Sequence, residues 1–119
     1  MNPLLRICSA LALAVTLLAG TAHAAPPAAY AACAACHSED GKNGLGPTLK
    51  GVYGRKAGSA AGFRYSPAMK KATTVWDDKS LDNFLADTQK AIPGNTMPFP
   101  GVPDAGQRAE IIAYLKTVK

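Results

Sequence analysis

Five consecutive residues, Cys33-Ala34-Ala35-Cys36-His37, concentrate most of the reactive chemistry of this 119-residue chain. Two cysteines separated by two residues and followed at once by histidine read as a c-type haem attachment sequence. Thiols about one helical turn apart reach the two vinyl groups of a porphyrin edge as thioethers, and the histidine that follows projects over the ring to bind iron. Three other readings fit the chemistry less well. A zinc site wants four ligands, and beyond residue 24 the chain offers two cysteines and one histidine. A redox-active disulfide of the thioredoxin kind wants a βαβ setting, and no alternating strand pattern occurs. A structural disulfide in an oxidising compartment has no use for the histidine.

His37 is the one histidine beyond residue 24, so a second histidine ligand is excluded. The other side of an iron would be filled by another side chain, by water or by nothing. Two methionines remain there, Met69 and Met97. Met97 lies in Ile92-Pro93-Gly94-Asn95-Thr96-Met97-Pro98-Phe99, where proline on either side stiffens the backbone and spares the residue an entropy cost on binding. Methionine that merely fills a core rarely needs such flanks. Met69 follows Pro67 in a short helical stretch and reads as packing.

Short helices and loops must position these groups. Residues 28–36 are almost all alanine, a strong helix former, and predict a short helix ending near His37. Residues 38–62, rich in Gly, Lys and Asn, predict extended loop. Ser66-Pro67 predicts the cap and first position of a helix running to Lys71. Leu81, Phe84, Leu85 and Thr88, at i, i+3, i+4 and i+7, predict a helix of about two turns. The pair Asp77-Asp78 reads as its solvated start, where acids suit the helix dipole. Prolines 93, 98, 100 and 103 exclude both helix and central strand from that segment. Asp104 opens the last helix, with Gln107 three residues on for a capping box, and Ile111, Ile112, Tyr114, Leu115 and Val118 form its buried stripe. The expected fold is all-α, small and loop-rich, with about four short helices.

The N-terminus reads differently. One early positive charge (Arg6), an apolar run over residues 7–19 and the small-residue ending Ala22-His23-Ala24 have the layout of a secretory signal peptide cut after Ala24. The run is shorter than the ~20 residues a spanning helix needs, and Pro26-Pro27 follows. Residues 1–24 are therefore expected to be a cleaved signal and residues 25–119 the working domain, periplasmic and with no stable membrane insertion. Of the 41 apolar residues beyond residue 24, 17 are alanine and two are cysteine, leaving 22 bulky ones. That is a thin core for a small domain. A haem at the centre would supply what is missing. The formal net charge of +5 comes with no basic run longer than two, which argues against nucleic acid.

At this point the sequence resembles the class I c-type cytochromes, close to the small soluble mitochondrial and bacterial type. Besides the attachment sequence, Gly46-Pro47-Thr48-Leu49 matches the family's Gly-Pro-x-Leu, and Gly51-Val52-Tyr53-Gly54-Arg55-Lys56 matches its Gly-x-Phe-Gly-Arg-Lys. The segment from Arg108 to Lys116 matches its C-terminal helix. The resemblance implies one haem c, covalent through Cys33 and Cys36, with His37 and Met97 as iron ligands and the Pro47 carbonyl orienting the His37 ring. It also implies that Arg55, Tyr65 and Trp76 line the propionates. Trp76 reads equally well as a core aromatic. Three positions depart from the family. Phe84 stands where a tyrosine commonly reaches the methionine sulfur, and Met69 stands where an asparagine is common; both make that side drier. Ala29 stands where an aromatic usually packs on the last helix, and Tyr30, one position on, is expected to substitute.

A His/Met-ligated iron has no vacant position for substrate, so the expected function is one-electron transfer and not catalysis. The alternative is a haem enzyme or sensor, peroxidase or gas-binding, with a labile sixth ligand; a haem-free secreted redox or binding module is a third. The positive balance suggests acidic redox-partner proteins as donor and acceptor to a monomeric carrier. Lys42, Lys56, Lys70, Lys71 and Lys90 form either a docking rim around the haem edge or scattered solvated charges.

Overall fold

The computed structural model describes Gly20 and residues 24–119; the expected signal segment lies otherwise outside the described residues. A 3₁₀ turn, Ala28–Tyr30, leads into α1 (Ala31–Ala34). Then come α2 (Pro67–Lys71), α3 (Asp78–Ala86), α4 (Thr88–Ala91) and α5 (Ala105–Leu115). Among the described residues there is no strand, only one antiparallel bridge between Lys56 and Val75. The fold is therefore all-α and loop-rich, as expected.

The alanine-rich start winds as predicted. Cys36 N–H and His37 N–H both donate to the Cys33 carbonyl, at 3.1 and 3.0 Å, so the attachment residues continue the turn that α1 begins. Ser66 caps α2 by accepting from Met69 N–H at 3.1 Å, with Pro67 at its first position. The buried stripe of α5 is also as expected: Ile111, Ile112, Tyr114 and Leu115 are all buried, and Val118 beyond the helix end joins them. Each such aliphatic side chain contributes roughly 1.5–3 kcal/mol relative to exposure.

Two local expectations are corrected. The periodicity from Leu81 to Thr88 is not one helix. Asp87 breaks it with φ −158°, and its side chain accepts from Lys90 N–H at 3.0 Å to start α4 afresh. An aspartate whose carboxylate can cap a new helix competes with continuation of the old one. The second concerns the reciprocal capping box, which forms at Asp77 and Ser80. Ser80 N–H donates to Asp77 Oδ1 at 2.8 Å and Asp77 N–H donates to Ser80 Oγ at 2.9 Å. At Asp104 the bond observed is the forward one, from Gln107 N–H at 2.8 Å.

Helix α5 packs on α3 and on the 3₁₀ turn. Arg108 ties the first contact by donating from Nε to Asp82 Oδ1 at 2.7 Å and from Nη1 to the Val102 and Pro103 carbonyls, both at 2.9 Å. Tyr30 makes the second. It is 2% exposed, and its ring meets that of Tyr114 edge-on with centroids 4.7 Å apart. The aromatic expected at position 29 is thus supplied one residue later. Tyr114 Oη donates to the Glu39 carboxylate at 2.9 and 3.0 Å. Tyr30 Oη is buried with no hydrogen-bond partner, and burial next to the Glu39 charge holds it protonated well above the ordinary phenol range.

Candidate functional site

A cavity of about 400 Å³ opens between α1, the 45–58 loop, α3, α5 and the 96–99 segment. All eight residues singled out above line it: Cys33, Cys36, His37, Pro47, Arg55, Tyr65, Trp76 and Met97. Phe63, Leu81, Phe84, Leu85, Ile111 and Leu115 complete walls that are mainly apolar. Of the five lysines considered for docking, Lys56 reaches the cavity and Lys42, Lys70, Lys71 and Lys90 do not. Leu45, 84% exposed, stands at its margin.

On one side of the cavity the chain holds an imidazole. His37 Nδ1 is 2.6 Å from the Pro47 carbonyl oxygen. A carbonyl can only accept, so Nδ1 carries the proton and Nε2 keeps its lone pair for a metal. The ring is also pressed from one face by the backbone at Gly46. A Cβ there would lie 2.5, 2.7 and 2.9 Å from Cε1, Nδ1 and Nε2, so only glycine fits. Gly46 is itself fixed by donating to the Cys36 carbonyl at 2.8 Å, which closes the loop onto α1.

Cys33 is buried and Cys36 half-buried, and no disulfide joins them. No three His, Cys, Asp or Glu side chains among the described residues converge as a zinc site requires.

Arg55, Tyr65 and Trp76 are placed at the cavity with donors to spare. Arg55 gives Nη2 to the Thr48 carbonyl at 2.8 Å and Nη1 to the Lys50 carbonyl at 3.0 Å. Its guanidinium has five N–H donors, so these two bonds fix its position without exhausting it. Tyr65 Oη accepts from Ala60 N–H at 3.0 Å, which leaves its own proton to donate. Trp76 is buried, its ring tilted against Phe84 with centroids 5.0 Å apart. It is a core aromatic, and it also lines the cavity.

Met97 is half-buried on the 92–99 loop. What the sequence reasoning missed is the polar framework behind it. Asn95, buried at 5% exposure, bonds through both ends of its side chain, and Thr88 Oγ1 donates to the Phe99 carbonyl at 2.8 Å. Spacing alone puts Thr88 in a helical stripe. The signal that could have shown otherwise is Asp87, a residue that starts helices more readily than it continues them.

Two thiols one turn apart, an imidazole with a single free nitrogen, two thioethers (Met97 on the proline-stiffened loop and Met69, which also packs against the core) and largely apolar walls therefore meet at one cavity. This donor set, with the space that Gly46 leaves beside the ring, fits haem c.

Comparison with known proteins points the same way. Residues 27–119 match the family described as Cytochrome c. The chain is 52% identical over 95 residues to cytochrome c2 iso-2 of Magnetospirillum fulvum, covering 79% of this chain and 98% of that protein. It is 46% identical over 89 residues to cytochrome c2 of Rhodoblastus acidophilus, covering 73% and 83%. Among solved structures it is similar to cytochrome cH from Methylobacterium extorquens, with a TM-score of 0.72, 52% identity, and 75% of this chain and 91% of that chain covered.

Proposed function

The chain belongs to the cytochrome c family, an electron carrier and not an enzyme, with haem c joined through Cys33 and Cys36; from that premise we propose a periplasmic carrier whose iron is held between His37 and Met97. When bound, the haem supplies a one-electron ferric–ferrous couple. The Pro47 carbonyl fixes the His37 tautomer and raises the basicity of Nε2, the usual work of a group hydrogen-bonded behind a metal ligand. As an iron ligand, the soft thioether of Met97 would favour the reduced state, and so would the apolar wall built by Leu81, Phe84, Leu85 and Leu115. Arg55 and Tyr65 offer spare donors to the propionates. With His37 and Met97 both holding the iron, the chain would leave no opening there for a substrate.

The observation that carries this reading is the short His37 Nδ1 to Pro47 contact beside a cavity that Met97 also lines. The optical spectrum of the oxidised holoprotein tests it. The weak methionine–iron charge-transfer band is expected, and Met97→Ala abolishes it. A high-spin ferric spectrum, with carbon monoxide binding readily to the reduced protein at neutral pH, would overturn the ligation. For the export reading, the layout of residues 1–24 is the support, and none of the described helices is long and apolar enough to cross a membrane. Cleavage after Ala24, read from the mass of the periplasmic protein, is its test.

Acidic redox proteins remain the proposed partners of a monomer, on the strength of the +4 formal charge of residues 25–119, which hold 12 basic and 8 acidic residues. The attraction is assigned to the overall positive charge of the domain, to which Lys56 at the cavity wall contributes. Transfer rates should fall smoothly with ionic strength.

A further inference from the structure

Three polar side chains are buried among the described residues: Ser66, Thr88 and Asn95. Ser66 is accounted for as the cap of α2. The other two meet around the loop that carries Met97. Asn95 Nδ2 donates both its hydrogens, to the Thr88 carbonyl at 2.7 Å and the Ile92 carbonyl at 2.8 Å, and its Oδ1 accepts from Met97 N–H at 3.1 Å. The Asn95 carbonyl accepts from Gln89 Nε2 at 2.8 Å, while Gln89 Oε1 accepts from Gly94 N–H at 3.2 Å. Thr88 adds its bond to the Phe99 carbonyl, on the far side of Met97.

The amide is determined in both identity and orientation. Turned over, Asn95 would face two carbonyls with its oxygen and the Met97 N–H with its nitrogen, a mismatch at all three contacts. An aspartate would set a carboxylate against the same two carbonyls. Phe84, which lines the cavity, has no hydroxyl to offer the Met97 sulfur. Retention of the thioether then falls on the backbone that bears it.

We infer that Asn95 is the positioning residue for Met97, tying the loop to α4 through its side chain, with Gln89 as its outer support. The inference rests on the reading of Met97 as an iron ligand. Asn95 is not among the residues that line the cavity. It sets the equilibrium between a loop that presents the sulfur and one that withdraws it. The apparent affinity of a competing ligand scales with the withdrawn fraction, so each hydrogen bond lost raises it by about two- to tenfold.

The experiment follows imidazole binding and the methionine–iron charge-transfer band in ferric holoprotein, well below the melting temperature. Gln89 is exposed, so Gln89→Ala folds and should bind imidazole about two- to tenfold more tightly with the band retained. Asn95→Ala and Asn95→Asp should bind it about ten- to a hundredfold more tightly with a weakened band, approaching the ceiling set by Met97→Ala. Asn95 variants that melt earlier yet keep the wild-type band and imidazole affinity would reduce the residue to a structural role and overturn the inference. If they fail to mature, an unchanged affinity in Gln89→Ala overturns it. A wild-type protein that already lacks the band and binds imidazole like Met97→Ala would sink the ligation itself, a different failure.

Discussion

The two sides of the cavity hold their donor residues by different means. On the His37 side the restraint is backbone: the Pro47 carbonyl on Nδ1, the Gly46 peptide against the ring, and the Gly46 bond to the Cys36 carbonyl. Behind it lies aromatic packing, because α1 follows directly on Tyr30, which is locked against Tyr114 of α5. On the Met97 side the restraint is a set of neutral side-chain hydrogen bonds from Thr88, Gln89 and Asn95 to a proline-stiffened loop. A group held by backbone and core gives way only when the domain does. A loop held by a few amide bonds can open alone, as low-stability segments of native proteins do.

Breaking the first side should therefore cost global stability. Tyr30→Ala empties the contact between the N-terminal turn and α5 and should destabilise the holoprotein by about 3 kcal/mol, a drop of roughly 15 °C in melting temperature for a domain this size. A melt unchanged by that substitution would remove the aromatic lock from the comparison. Next in size is Gly46→Ala. Its new Cβ meets the ring 2.5 Å from Cε1, and overpacking of this kind costs about 1–3 kcal/mol. Lower holoprotein yield and an earlier melt are expected, with little change in imidazole affinity at temperatures where the protein is folded.

The opposite pattern is expected of Thr88→Val. It leaves the Phe99 carbonyl without the donor now 2.8 Å away and costs about 1 kcal/mol. Imidazole affinity should rise several-fold while the melting temperature moves by only a few degrees. A shift confined to the melting temperature would place Thr88 with the His37 side.

The smallest effect is a titration. Asp77 is held below the usual carboxylate range chiefly by the Ser80 N–H, and Asp78 by the Lys116 ammonium and then the Tyr53 hydroxyl. Their folded pKa values lie below the unfolded ones, so the stability they lend is complete above the ordinary carboxylate pKa and is lost as pH falls through the lowered values. Lys116, raised mainly by its bond to Asp78, has the opposite sign: its share is complete below the ordinary lysine pKa and is lost as pH rises past the raised one. The melting temperature should be level near neutrality and fall below about pH 4. Asp78→Asn should flatten part of that fall and leave imidazole affinity untouched, because no carboxylate takes part in the bonds that hold the Met97 loop.

Much of this site could be read from neighbouring residues. Cys33, Cys36 and His37 announce themselves by spacing, the stripe of α5 by its period, and the Met97 loop by its prolines. The helix break at Asp87 was harder to see, since the apolar spacing from Leu81 to Thr88 runs through it unchanged. The same break decides the fate of Thr88, which turns from a stripe position into a buried donor to Phe99. The resemblance puts Asn95 in the loop beside the methionine, but nothing local names its hydrogen-bond partners. Its partners depend on where α4 ends and how the loop folds back over it.

What the sequence determined by itself is the set of reactive groups and their local geometry, because covalent spacing and helical period need no knowledge of the rest of the chain. Only the tertiary structure decided which backbone presses on His37, which tyrosine locks the N-terminal turn, and which buried amide ties down Met97. Those contacts are made by groups that packing brings together, and a buried donor or acceptor takes whichever partner packing leaves within reach.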